Sequence, residues 1–144
     1  MSHHLDSPFA PYAATLLRLS LAGMWISHAL LKLMVFTIPG FQQFLAAHGM
    51  PAFIAWPVVG MELAGGVLIL IGFHGRAASM LLLPILAGAI AAHLGNGWVF
   101  SNPNGGWEYP LFLILMSLVH VMLGDGVFAI IPRTVAPALR PIAA

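Results

Sequence analysis

HLGNGWVFSNPNGGWEYP, residues 93–110, is the longest polar, turn-rich interval in an otherwise apolar chain. Four glycines, three asparagines and one proline lie between His93 and Trp107, a composition that ends helices and supplies turns with positive φ. The apolar pattern resumes at once on both sides. His93 is therefore expected to close one helix and Trp107-Glu108-Tyr109-Pro110 to open the next, because a proline in a first turn forfeits no intrahelical hydrogen bond. Glu108 then stands at a helix N-terminus, where negative charge meets the favourable end of the dipole. The aromatics on either side of it suit a membrane–water boundary.

Composition sets the environment. Of 144 residues, 60% are hydrophobic and 6% charged, with a mean hydropathy of +0.97, against about 25% charged in ordinary soluble domains. The fold class that follows is all-α: an integral membrane four-helix bundle with short connections, a single membrane domain over residues 1–144 with the lipid bilayer as its first partner. A net charge of +1 with five Lys+Arg leaves no basic patch and sets nucleic acid aside. Zero cysteines exclude disulfides, thiolate metal sites and thiol chemistry by this chain. The start, MSHHLDSPFAPYAAT, lacks the Lys/Arg n-region of a signal peptide, so the first hydrophobic run is expected to stay.

Four spans are expected, at approximately 12–36, 52–73, 77–94 and 107–123, followed by a tail at 125–144. The first carries Arg18, Trp25 and Lys32 at intervals of seven, with His28 one turn from Lys32, so these side chains share a face that should look inward. Residues 37–51, TIPGFQQFLAAHGMP, read as a connection with a short amphipathic turn in the interface. The second span has Glu62 in its body, with Gly65 and Gly66 after it, which suggests close helix contact. In the third, Pro84 would kink the helix, and Gly88, Ala91, Ala92 and Gly95 form another small-residue strip. The fourth has one polar surprise, His120, and ends at Gly124-Asp125-Gly126. The tail after Val127, with three prolines and two arginines, reads as a surface-lying or extended segment. Arg76, Arg133 and Arg140 fall in the second connection and the tail, which by the positive-inside rule puts both termini in the cytoplasm of a multi-pass protein of the bacterial inner membrane.

Counting inward at 1.5 Å per residue, Lys32 lies about 6 Å deep, His28 about 12 Å and Glu62 about 15 Å, with His93 and Glu108 near the rim. A charge at such depth costs several kcal/mol unless paired or hydrated, so His28, Lys32, Glu62, His93 and Glu108 are the candidate ligand-binding or proton-relay residues. A plain structural ion pair for Glu62, and snorkelling for Lys32, compete with that role. Arg18 and His120 form a second polar contact at the other end. His28 and His93 differ in depth, which argues against paired haem ligation, and Glu62, His93 and Glu108 show no metal-ligand spacing, so no metal site is assigned. Trp98 and Trp107 read as interfacial anchors, and Trp25 as the wall of a cavity.

LLRLSLAGMWISHALLKL in span one, VVGMELAGGVLILIGF in span two, HLGNGW, and GGWEYPLFLI together resemble the DoxX family, from about Leu16 to Leu123. The resemblance implies a four-helix membrane bundle. Relatives include the small subunit of a thiosulfate:quinone oxidoreductase and proteins linked to quinone or catechol stress and thiol-oxidative defence. Arg18, His28, Lys32, Glu62, His93 and Glu108 carry over as the polar positions of the pattern, without a catalytic assignment.

Three functions follow. The first is a membrane subunit of a redox system, an accessory to a quinone-linked oxidoreductase, which binds a quinone or related aromatic molecule in the outer half of the bundle and relays protons. No cofactor is covalently held, and electrons come from a redox partner subunit. The second is a non-catalytic scaffold that docks a peripheral enzyme. The third, a proton-coupled exporter, would need a homo-oligomer, because four helices show no inverted repeat.

Overall fold

The computed structural model describes residues 7–131. Within these residues five α-helices carry the fold: α1 (Ala10–Met34), α2 (Thr37–Ala47), α3 (Ala55–Ile71), α4 (Gly75–His93) and α5 (Glu108–Leu123). Among the described residues there is no strand. Three helical segments, Ala10–Met34, Ala52–Ile71 and Gly75–Asn96, are long and apolar enough to cross a membrane, and Glu108–Leu123 is a shorter apolar helix. At 1.5 Å per residue α5 is about 24 Å long, against a hydrocarbon core of about 30 Å.

The four long helices close a ring in the order α1, α3, α4, α5 and back to α1, running alternately up and down. One end of the bundle carries residues 94–107 and is called the loop side. The other carries the start of α1, the α3–α4 turn and residues 124–131, and is called the tail side. The main core is Leu21, Ala22 and Trp25 of α1 against Ile69 of α3, Leu82 and Leu86 of α4 and Leu113 of α5. The outer helix faces remain apolar, with residues such as Leu16, Leu81, Phe112 and Met122 exposed, as lipid contact requires.

Glycine sets the helix spacing. A Cβ on Gly66 would stand 2.9 Å from Ile26 Cγ1 and 3.2 Å from the Ile26 nitrogen, and one on Gly65 would stand 2.7 Å from Leu82 Cδ1. The two glycines thus bring α3 close to α1 on one side and α4 on the other, as the sequence suggested. The Gly88–Gly95 strip differs. Added Cβ atoms at Gly88 and Gly95 meet nothing within 4 Å, and Ala91 is exposed, so within the chain only Ala92 of that strip is buried.

The first connection is more than the short turn expected. Thr37, at φ 61°, reverses the chain, and its hydroxyl accepts the Gly40 N–H at 3.4 Å in the first turn of α2. Phe41 and Leu45 of α2 then bury against Ala29, Ala55 and Val59, a second core at the loop side between α1 and α3. At the opposite end Gly72, at φ 67°, closes α3 through Gly72 N–H to Ile69 O (3.1 Å) and Phe73 N–H to Leu68 O (3.0 Å).

Residues 125–131 fold under the tail side. Ile130 and Ile131 donate to the terminal carbonyls of Ile71 and Gly72 at 3.0 and 3.3 Å. The part of the expected tail from residue 132 onward lies outside the described residues.

Candidate functional site

The inward stripe of α1 meets Glu62 of α3 at the loop side. Glu62 is 3% exposed, and Lys32 Nζ lies 2.8 Å from each of its oxygens. Lys32 is itself 16% exposed and stands 5.4 Å from the centre of the Phe41 ring, so α2 covers the pair from above. Two of the three ammonium hydrogens go to Glu62, which leaves one donor for another acceptor. His28, one turn deeper on α1, places Nδ1 2.9 Å from Met24 O. A carbonyl oxygen only accepts, so Nδ1 donates to it and Nε2 is left for another partner. The imidazole stacks on Tyr109 at the start of α5, 5.5 Å between centroids and 19° between planes. Tyr109 Oη is buried without a partner among the described residues.

The other two expected members stand apart from this cluster. His93 lies under the loop, its Nδ1 3.2 Å from Asn96 Nδ2 and its ring 5.9 Å from that of Phe44 in α2. Glu108 turns back to the loop: its Oε1 accepts the Phe100 N–H at 2.9 Å, while its own N–H donates to Trp98 O at 3.0 Å. A carboxylate at the first residue of a helix has free backbone donors close by, and here one from the loop claims it. The loop is held by these bonds together with Asn96 Nδ2 to Asn104 O (3.0 Å) and Asn102 Nδ2 to Asn96 O (2.9 Å). Gly106 is required because a Cβ there would collide with the carbonyl oxygens of Trp98 and Val99.

Arg18 and His120 occupy the tail side, but each has a separate partner. His120 is fully buried, its Nδ1 2.8 Å from Ser79 Oγ of α4. Its Nε2 stands 3.2 Å from Asp125 Oδ1, a close approach without hydrogen-bond alignment. Arg18, 2% exposed, directs Nη2 to the carbonyls of Val127 and Phe128 at 3.4 Å each. Thr15 Oγ donates to the same Val127 oxygen at 2.9 Å. Ser79, His120 and Asp125 are the residue types of a hydrolytic triad, yet Ser79 is wholly buried and no substrate can reach its hydroxyl. Gly75 is the small residue that admits Asp125, since a Cβ there would overlap Oδ1.

Sequence reasoning missed Tyr109, Ser79 and Asp125. By sequence Tyr109 reads as an interfacial aromatic, and only the packing of α5 against α1 brings its ring onto His28. Asp125, between two glycines, reads by sequence as part of a turn. The signal available was an ionisable residue beside a buried histidine at the same helix end. Trp25, expected at a cavity wall, packs in the main core, 3% exposed, with Nε1 unpartnered within the protein. Trp98 and Trp107 make an edge-to-face pair, 4.5 Å between centroids. Among the described residues, no three His, Cys, Asp or Glu side chains converge as metal ligands would.

Comparison with known proteins gives two matches. The model of the DoxX family matches residues 13–95, which hold Arg18, His28, Lys32, Glu62 and His93. A protein of Bacillus subtilis (strain 168), provisionally named oxidoreductase CatD, is 29% identical over 123 residues, covering 81% of this chain and 83% of that protein. No solved structure matches the chain.

Proposed function

This chain belongs to the DoxX family, and from that premise we propose that it is a membrane subunit of a redox system that binds a quinone head group beside the Lys32–Glu62 pair and relays protons there. The observation that carries this reading is the neighbourhood of Glu62: a buried carboxylate held by an ammonium that keeps one free donor, next to a histidine with a free Nε2 and a tyrosine whose hydroxyl has no partner. A membrane-embedded acid is costly and marks proton paths and ligand sites. The oxidoreductase name of the Bacillus relative supports a redox setting in outline.

The residues present fit such a ligand. A quinone carbonyl is an acceptor, and Lys32 and Tyr109 offer donors. When bound, the quinone would supply the two-electron, two-proton chemistry. Lys32 orients a carbonyl oxygen, and Glu62 takes or gives a proton when Lys32 shifts its bonds to that oxygen. His28 exchanges a proton at Nε2, and α2 with Phe41 limits water. With no cysteine in the chain, electrons come from a partner.

One observation favours the scaffold alternative. Both Glu62 oxygens are satisfied by Lys32, so the pair can serve as a cross-brace between α1 and α3 without turnover. Purification in mild detergent, followed by titration with short-chain quinones under native mass spectrometry, separates the two. Retention by the wild type and loss in Glu62→Gln supports the site. A folded wild type that takes up no quinone leaves the scaffold.

A further inference from the structure

The outer surface between the loop and α5 holds a groove of about 380 Å³, lined by Trp98, Phe100, Glu108, Tyr109, Phe112 and Leu115 among others. We infer that this groove seats the ammonium head of a bilayer lipid, with Glu108 as its counter-ion and the aromatic rings as its walls. Charge is the first argument. Among the described residues, no Lys, Arg or His forms an ion pair with Glu108. Its Oε1 takes the Phe100 N–H, and Oε2 has no hydrogen-bond partner among the described residues. An unpaired carboxylate among aromatic side chains presents negative charge at an otherwise apolar surface, a combination that attracts a cation and repels acceptor oxygens. The carboxylate end of the groove thus favours a cation over a quinone carbonyl, and Tyr109 is the residue that this groove shares with the proposed site at Lys32–Glu62.

Construction is the second argument. Glu108 and the Trp98–Phe100 segment are hydrogen-bonded in both directions, at 2.9 and 3.0 Å, and Trp98 is braced edge-on by Trp107. The carboxylate is thus fixed before any ligand arrives, which lowers the ordering cost of binding. Position is the third. Glu108 opens α5 beside the loop, while Phe112 and Leu115 lie one and two turns further along it. There the groove runs into the exposed apolar face of Leu118, Val119 and Met122. Glu108 to Leu115 spans about 10 Å of helix, so a head group at the boundary would lay the start of its chain along Phe112 and Leu115.

The test uses the full chain in vesicles holding equal amounts of phosphatidylethanolamine and phosphatidylglycerol with identical acyl chains, released under native mass spectrometry. Wild type should retain the ethanolamine lipid over the glycerol lipid by about three- to tenfold, the range that exposed cation–π and ion-pair contacts support. Glu108→Gln can still accept the Phe100 N–H, and it should erase the preference while leaving helical content unchanged. Equal retention by the wild type, a preference for the glycerol lipid, or a preference that survives Glu108→Gln would each overturn the assignment. The measurement involves no quinone, so its outcome is independent of the reading at Glu62.

Discussion

Lys32 Nζ sits 2.8 Å from each oxygen of Glu62 and ties α1 to α3 through a carboxylate that is 3% exposed. Breaking such a pair from one side strands a charge in a dry environment, at about 3–5 kcal/mol, whereas replacing both partners with apolar residues is often neutral. Lys32→Met and Glu62→Met should each lower the unfolding midpoint in detergent, and the double variant should recover most of the loss. If the pair binds a quinone, the recovered double variant will be folded yet empty. Additive losses in the double-mutant cycle would show that the two groups do not interact.

Gly66 lets α1 approach α3, with Ile26 Cγ1 only 2.9 Å from the position of an added Cβ and the Ile26 backbone nitrogen 3.2 Å away. Because a backbone atom cannot turn aside, Gly66→Ala should cost about 1–3 kcal/mol by overpacking. Gly60, one helix face away, meets nothing within 4 Å. Gly60→Ala should leave the thermal midpoint in detergent unchanged or raise it, and equal effects at the two positions would contradict the packing argument.

Composition and hydrophobic runs made the helices legible, because few sequences with 6% charge fold in water. The span limits followed from the Gly and Pro punctuation at residues 72–75 and 93–110. The Lys32–Glu62 pairing was also within reach, since an acid in the body of one span and an ammonium on the inward face of the span before it have few other partners, and the long Lys32 side chain bridges their difference in depth. The turn of Glu108 toward Phe100 was not, because a helix N-terminus fixes where the residue stands and leaves its χ angles to the loop. Nor was α2: a connection with a proline near its start reads as irregular, and its burial depends on Ala29, Ala55 and Val59 leaving room for Phe41 and Leu45.

Asp125 is the acidic residue of the tail side among those described, next to buried His120 and at the head of the segment that Arg18 and Thr15 hold through Val127. Asp125→Asn replaces the carboxylate that lies beside buried His120 and heads the segment held by Arg18, and it should destabilise the protein by about 2 kcal/mol. The loss should be local first. Hydrogen exchange at Ile130 and Ile131, whose N–H groups bond Ile71 and Gly72, should accelerate more than exchange in the middle of α3. Uniform acceleration would mean that the segment unfolds only with the whole bundle.

The loop and tail ends are expected on opposite faces of the bilayer, with the tail side in the cytoplasm as the arginines suggest. Single cysteines at Ser7 and Asn104 should react with a membrane-impermeant thiol reagent from opposite sides, Asn104 from outside intact cells. The chain has no native cysteine to confuse the readout. Reaction of Ser7→Cys in intact cells, with Asn104→Cys protected, would invert the orientation.

Tyr109 separates stability from function most cleanly. Its ring stacks on His28, 5.5 Å between centroids, while its hydroxyl is buried without a protein partner. An unsatisfied buried hydroxyl costs about 1–3 kcal/mol, so Tyr109→Phe keeps the stack and should leave the midpoint unchanged or higher. If that hydroxyl is kept to donate to a quinone carbonyl, the same change should weaken quinone binding by about tenfold, equivalent to about 1.4 kcal/mol for the lost hydrogen bond. His28→Phe would preserve an aromatic contact with Tyr109 and remove the titratable nitrogen. It should therefore spare quinone binding and slow proton uptake in the assembled redox system. A Tyr109→Phe protein that is more stable and binds quinone as tightly as wild type would show that the hydroxyl plays no part in the site, and the Lys32–Glu62 pair would then stand as a brace between helices.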